Sequence, residues 1–434
     1  MRRLLRLLLL ALCFTAARAD EAQEKTFEEI WSKVRDRYFD ETFGGADWNK
    51  IHEDYLPRVR QARDEAEFYR LMDRMLAETG HSHLVLLHPH PSAVPPRFPQ
   101  AGDGPPAGPG LDLRFLDGVC RVVSVIPEGA AWKAGLRTGD ALEEIDATPV
   151  ARIVEGGEEA QDLPGDEARK RFQVMGELVG PGNRPLKLAV RSAQGELRRI
   201  EVTRDQPLRF SPPIGNLPAL PVELEARRLK SGVGYIRFNL FLMGEMDGIR
   251  KAVQGMKNAP GIILDLRGNP GGMGVMAQAV ARLFLDCDAG LGEMHLRGRD
   301  VLRFPVSANP RAYLGPLVLL LDGTSASTSE ILAMGLQECG RAVVAGSRSA
   351  GAALPSVIEH LDCGLMLQFP IADFHTPKGA TLEGKGVTPD LEAPWALDTL
   401  REGKDPGVEK AVDAILSGKV KPWPPQAPPK GDFP

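Results

Sequence analysis

The chain has 434 residues, 43% hydrophobic, 26% charged and 6% aromatic, with 46 Gly and 36 Pro. That is enough length and apolar material for two or three cored domains, and it excludes wholesale disorder and collagen-like repeats. The 53 basic side chains are met by 58 acidic ones for a net charge of −5, with no basic block, so a nucleic-acid footprint is excluded and the expected partners are proteins, peptides or small molecules.

The first residues, MRRLLRLLLLALCFTAARAD, set Arg2, Arg3 and Arg6 before an apolar run and Ala17-Arg18-Ala19 after it, the layout of a cleavable secretory signal over 1–19. A lipid anchor at Cys13 is disfavoured by the bulky Leu12 before it. No later stretch reaches the roughly 20 apolar residues a membrane span needs, so an exported, periplasmic or secreted protein with no stable span after cleavage is expected. Cys120, Cys287, Cys339 and Cys363 remain. Export permits disulfides, but this spacing resembles neither a zinc ribbon nor a redox CxxC, and the pairing stays open.

Residues 20–95 read as an N-terminal helical part: Phe27, Ile30, Trp31, Val34 and Tyr38 recur at three- and four-residue steps, as do Phe68, Leu71, Met72 and Met75. HSHLVLLHPHP then reads as a short strand entering a loop, and the Pro/Gly-rich stretch 89–110 as a linker. Residues 105–205 carry short β-type runs. Over 206–402 apolar runs (GYIRF, GIILDL, PLVLLLD, AVVAG) alternate with helix-length segments, which predicts parallel strands with crossover helices in an α/β domain. The remainder, 403–434, ends in PWPPQAPP and reads as a Pro-rich tail.

Three segments carry chemistry. Gly261 to Gly272 is an apolar strand entering a loop with glycines through Gly274, where backbone N–H groups can turn toward an oxyanion. Downstream, a second apolar strand runs through Thr324-Ser325-Ala326-Ser327-Thr328-Ser329 into a helix, placing hydroxyls at the positive helix end, which suits a nucleophile as well as an ordinary cap. Finally, His81, His83, His88 and His90 put half of the eight histidines within ten residues. A metal site is one reading of that cluster if His81 and His83 share a strand face, but no HExxH or nearby acidic ligand accompanies them.

Gly110-Leu111-Asp112-Leu113 followed by PEGAAWKAGLRTGDALEEIDATPV (127–150) resembles a PDZ domain, whose glycine loop and strand edge take a peptide carboxylate and an added strand. Leu111 and Leu113 would line its pocket, with Asp112 as an exposed, screened charge. The succession of helical part, PDZ module, GYIRF strand, LDLRGNPGG loop, SASTSE turn and TLEGKGVTPDLE resembles the tail-specific or C-terminal-processing serine peptidases (S41-type), the family that includes the tricorn core protease and the retinoid-binding interphotoreceptor repeats.

That resemblance implies a crotonase-like parallel-sheet catalytic domain with an inserted PDZ domain, and no cofactor or metal. It puts the nucleophile at Ser327 and the oxyanion hole at Gly271 or Gly272 with the N–H of Thr328. The family's Ser-Lys branch carries its lysine in a Gly-Lys-Gly that here reads Gly351-Ala352-Ala353; Gly384-Lys385-Gly386 belongs to a later motif. The tricorn-like branch uses a histidine preceded by a serine and supported by a distant glutamate, which falls on His83, Ser82 and Glu383. The implied protein is an exported endopeptidase whose protein or peptide substrate presents a free C-terminus to the PDZ domain. The competing reading is a catalytically silent relative that binds a peptide or lipid.

Overall fold

The structure, a computed structural model, describes residues 21–87, 105–154, 163–182, 184–217, 219–298 and 300–424. The leader, His88, His90 and residues 425–434 lie outside these.

Helices over 21–37, Trp48–Val59 and Glu65–Ala77 open the described chain. Asp47 and Asp64 cap the second and third, accepting from the N–H groups of Lys50 and Glu67 at 3.0 and 2.8 Å. Their apolar stripes, Phe27, Ile30, Val34, Tyr38, Met72, Met75 and Leu76, are buried together with Leu84, Leu86, Leu367 and Phe369. The last two belong to a three-stranded sheet in which Val85–Leu87 pairs antiparallel with Met366–Pro370, and that strand with Ser356–His360. The helical part therefore packs on strands that arrive nearly 300 residues later, and the Gly80–His83 turn is held where the two meet.

The β-rich module is an antiparallel sheet of Leu111–Leu116, Val119–Val125, Ala141–Ile145, Leu186–Arg191 and Leu197–Val202, with Thr148–Pro149 beside Ala141–Ile145. The helix Asp166–Leu178 closes it through Val174 and Leu178, over Leu113, Val122, Leu142, Leu188 and Val190.

The third part holds a six-stranded sheet in the order Leu224–Arg228, Gly234–Phe238, Ile262–Asp265, Leu317–Leu321, Val343–Gly346, Leu391–Glu392, antiparallel at the first pair and parallel after it. Ile262, Leu264, Leu317 and Leu319 face a layer containing the helices Met246–Gly255, Val275–Ala281 and Thr328–Glu338. Ile263, Val318 and Leu320 face the opposite side, where Ala411, Ala414 and Ile415 cover them. Burial on both faces is why these strands read as unbroken apolar runs. It also corrects the reading of 403–434 as tail throughout: Pro406–Leu416 is a helix capped by Asp405, and without it one face of the sheet would be exposed. No helix among the described residues is long and apolar enough to cross a membrane.

Candidate active site

Ser327 stands where the fully buried strand Leu317–Leu321 gives way, through a short loop, to the helix Thr328–Glu338. Ligands gather at such carboxyl ends of parallel strands. The loop is tied to the glycine-rich turn beside it: Ser325 Oγ donates to Leu266 O (2.9 Å), Ser329 Oγ to Asn269 O (2.9 Å), and Gly268 N to Thr324 Oγ1 (2.9 Å). Of the three serines, Ser325 and Ser329 are thus buried and committed, while Ser327 lines the cleft. Its φ of +56° is a strained value for a residue with a Cβ, as expected where a sharp strand-to-helix turn presents a hydroxyl.

Gly271, with φ of +101°, lies against Ser327, and Gly272, with φ of +136°, lies against the Phe241 backbone. A Cβ on Gly271 would lie 2.7 Å from Ser327 Cβ, and one on Gly272 2.5 Å from Phe241 O, so only glycine permits this approach. The N–H of Gly271 is committed to Asn269 Oδ1 at 2.9 Å. Gly272 is held by its carbonyl, which accepts from Thr328 Oγ1 at 2.9 Å.

The Gly80–His83 turn supplies the second half. Ser82 N donates to Glu383 Oε1 (2.7 Å), Ser82 Oγ donates to Glu383 Oε2 (3.0 Å), and His83 Nδ1 lies 2.7 Å from Ser82 Oγ. Because the Ser82 hydroxyl spends its proton on the carboxylate, it can only accept from His83 Nδ1–H, which leaves Nε2 with a free lone pair. Burial lowers the His83 pKa to about 4, and burial raises that of Glu383. His83 and Ser327 line one cleft of about 2770 Å³ shared by the helical part, the β-rich module and the large sheet. That exceeds the roughly 300–1,000 Å³ of small-molecule sites and has room for a polymer. No hydrogen bond joins His83 to Ser327 in this arrangement.

Comparison with known proteins decides the class of this site: residues 232–393 match Peptidase family S41, and residues 19–77 match the Tricorn protease C1 domain. The chain is a serine-type peptidase. It is 28% identical over 398 residues to a chloroplastic C-terminal processing peptidase of Tetradesmus obliquus, covering 89% of this chain and 81% of that one. It is 27% identical over 411 residues to a carboxyl-terminal-processing protease of Synechocystis, covering 93% and 89%. Its fold is similar to a solved photosystem II D1 C-terminal processing protease (TM-score 0.58, 23% identity, 91% and 97% covered). It is also similar to mature CPAF complexed with lactacystin (TM-score 0.62, 14% identity, 91% and 99% covered).

In this peptidase the other expected residues fall as follows. Lys385 is exposed, bonds Thr381 Oγ1 at 2.9 Å and does not line the cleft. Ala352 is buried, and a Cβ on Gly165 of the β-rich module would lie 2.9 Å from its own. His81 is not on a strand; its Nδ1 meets Tyr38 OH at 2.7 Å. Among the described residues no group of three His, Cys, Asp or Glu could hold a metal ion, and the four cysteines are unpaired.

The Gly110–Leu113 segment differs from its expected role in two ways. Leu113 is fully buried in the module's own core, so of the two leucines only Leu111 reaches the cleft. Asp112 is not an exposed charge: it accepts from Arg114 (2.9 Å), Arg171 (2.7 Å) and Arg237 (2.5 Å), and these guanidiniums hold its carboxyl well below the usual range despite burial. Arg114 continues to Asp322 at 2.5 Å. The cluster joins the β-rich module to the large sheet and to the loop before Ser327, and Arg171, Arg237 and Asp322 lie too far along the sequence from Asp112 and Arg114 for any local pattern to reveal.

Proposed function

We propose that this peptidase is an exported endopeptidase of the Ser-His type. Ser327 is the nucleophile and His83 Nε2 takes its proton and returns it to the leaving amine. Ser82 and Glu383 hold the imidazole in the tautomer that can do so, and the N–H groups of Gly272 and Thr328 receive the oxyanion. Gly271 serves this hole by close approach, because its own N–H is already bonded to Asn269. The observation that carries the reading is the Glu383–Ser82–His83 chain opening on the cleft that Ser327 lines. An imidazole that burial keeps neutral at physiological pH is available as a base, whereas the lysine position of the dyad branch is filled by a buried alanine. The β-rich module acts as a PDZ domain that takes the substrate's C-terminal tail at Gly110 and Leu111, and the leader directs export. The named relatives process carboxyl termini, which fits a protein substrate.

The test is covalent labelling. A fluorophosphonate should modify wild-type protein at Ser327, and both Ser327→Ala and His83→Ala should abolish labelling and peptide hydrolysis while the fold persists by circular dichroism. Undiminished hydrolysis in the His83→Ala protein would overturn the mechanism.

A further inference from the structure

Glu330 lies in the first turn of the helix that Ser327 opens, and its side chain is wholly inaccessible to solvent. A glutamate three residues past a helix cap ordinarily reaches back to one backbone N–H at the surface. Glu330 does this, accepting from Ser327 N at 3.0 Å, but it also accepts from three groups of a distant segment: Ser349 Oγ (2.6 Å), Gly351 N (2.8 Å) and Ala352 N (3.0 Å). No cationic side chain is among its partners. Burying a carboxylate without a counter-ion is expensive, and burial pushes the Glu330 pKa up to about 7. Three backbone N–H groups and one hydroxyl converge on its two oxygens, so each oxygen has two partners.

The neighbouring amide shows what the arrangement accomplishes. Ala353 N donates to Glu383 Oε2 at 3.0 Å, the same oxygen that receives the Ser82 hydroxyl. Three consecutive N–H groups, Gly351 to Ala353, are thus divided between the carboxylate beside the nucleophile and the carboxylate behind the base. The segment is fixed in other ways too. Ser327 N donates to Ala352 O at 2.7 Å, and Gly384 N donates to Gly351 O at 2.8 Å. Gly351 has φ of +67°, and a Cβ there would come within 3.1 Å of Lys385 N and Gly386 N.

We propose that Glu330 is a positioning residue that clamps the strained Ser327 turn to the Gly351–Ala353 strip, so that nucleophile and histidine support are set in register by one stretch of backbone. This rests on the reading of Ser327 as the nucleophile. Where the dyad branch draws a base from this strip, the present peptidase uses the strip as a spacer between two carboxylates. Glu330 touches no substrate atom. Its effect falls on the reactivity of Ser327 and leaves substrate capture alone.

The experiment follows fluorophosphonate inactivation, resolving the maximal rate constant from the half-saturating concentration. Glu330→Gln keeps shape but turns an NH2 toward a backbone N–H whichever way the amide is placed: toward Ser327 N and Ala352 N in one, and toward Gly351 N in the other, where the Ser349 hydroxyl can turn to accept. The maximal rate constant should fall at least tenfold while half-saturation stays within about threefold. Ser349→Ala, which removes one donor and leaves both amides, should show the same split with a loss of a few-fold, and it serves where Glu330→Gln does not fold. Wild-type rate constants in either folded variant would overturn the proposal. So would a parallel change of both parameters, which a merely structural role predicts. If wild-type protein is not labelled at Ser327 at all, the reading of the nucleophile fails, and the proposal with it.

Discussion

Replacing Glu383 by Gln tests the histidine support more sharply than deleting it, because only the hydrogen-bond polarity changes. The carboxylate accepts from Ser82 N at 2.7 Å through one oxygen, and from Ser82 Oγ and Ala353 N, both at 3.0 Å, through the other. An amide can be placed in two ways. With its carbonyl toward Ser82 N, its NH2 donates to Ser82 Oγ and opposes the Ala353 N–H; the hydroxyl must then donate to His83 Nδ1, which puts the proton on Nε2 and removes the lone pair the base needs. With its carbonyl toward Ser82 Oγ, the tautomer survives but the NH2 opposes Ser82 N–H, at a cost of about 1–3 kcal/mol for the unmet donor.

In a Ser-His-Asp triad the corresponding exchange traps the wrong tautomer and lowers kcat about 10⁴-fold. Here a hydroxyl intervenes and the second placement competes, so a loss of about 10²–10³ is expected, equivalent to about 3–4 kcal/mol of barrier. KM should change less than threefold, because Glu383 does not line the cleft. The assay is steady-state hydrolysis of a fluorogenic peptide cleaved by the wild type, with unfolding followed in parallel. A Gln variant within threefold of wild-type kcat would refute the tautomer argument.

Ser327→Ala should abolish activity with little loss of stability. Ser325→Ala takes away the acceptor of Asp322 N and one of two donors to Leu266 O and should cost about 1–3 kcal/mol in unfolding; Ser329→Ala leaves Asn269 O its bond from Ala326 N and should cost about 0.5–1.5 kcal/mol; both should retain turnover. Because burial lowers the His83 pKa to about 4, its ring should titrate in NMR spectra near there and not at the ordinary 6.5 or so. The native state disfavours the charged ring, so its contribution to stability is present above about pH 6.5 and is lost as pH falls through about 4; a ring titrating at 6–7 would contradict this. Asp112→Asn leaves three guanidiniums without their shared anion, a loss of about 3–5 kcal/mol. It should appear as faster hydrogen exchange over Leu111–Val125, and unchanged exchange there would show that the cluster does not hold the module.

Periodicity and run length were enough for the N-terminal helices and for the parallel strands of the large sheet. The i, i+3, i+4 stripe from Phe27 to Tyr38 and the apolar runs GIILDL and PLVLLLD report burial on one helix face and on both sheet faces, and burial is what local patterns encode. The Pro406–Leu416 helix was missed because the proline-rich text after it dominates the composition, although Asp405, Pro406 and the spacing Ala411, Ala414, Ile415 form a readable cap and stripe. At the site, a strand, a run of small hydroxyl residues and a helix single out the Thr324–Ser329 turn, since a strand-to-helix turn carrying hydroxyls is a local pattern. Which of its serines faces the cleft followed from tertiary contacts, because Ser325 and Ser329 are withdrawn by carbonyls some 60 residues away.

The remaining decisions were all long-range. Ser82 meets Glu383 across 301 positions, Asp112 meets Arg237 across 125, and Glu330 reaches the 349–352 segment. Each depends on a buried charge finding donors, and the sequence by itself states which residues can be charged but not which of them folding removes from water. By itself it determined the elements, the glycine-rich and serine-rich turns and the absence of a lysine at Ala352. Only the tertiary structure decided which carboxylates are buried, what satisfies them, and therefore which nitrogen of His83 keeps a free lone pair.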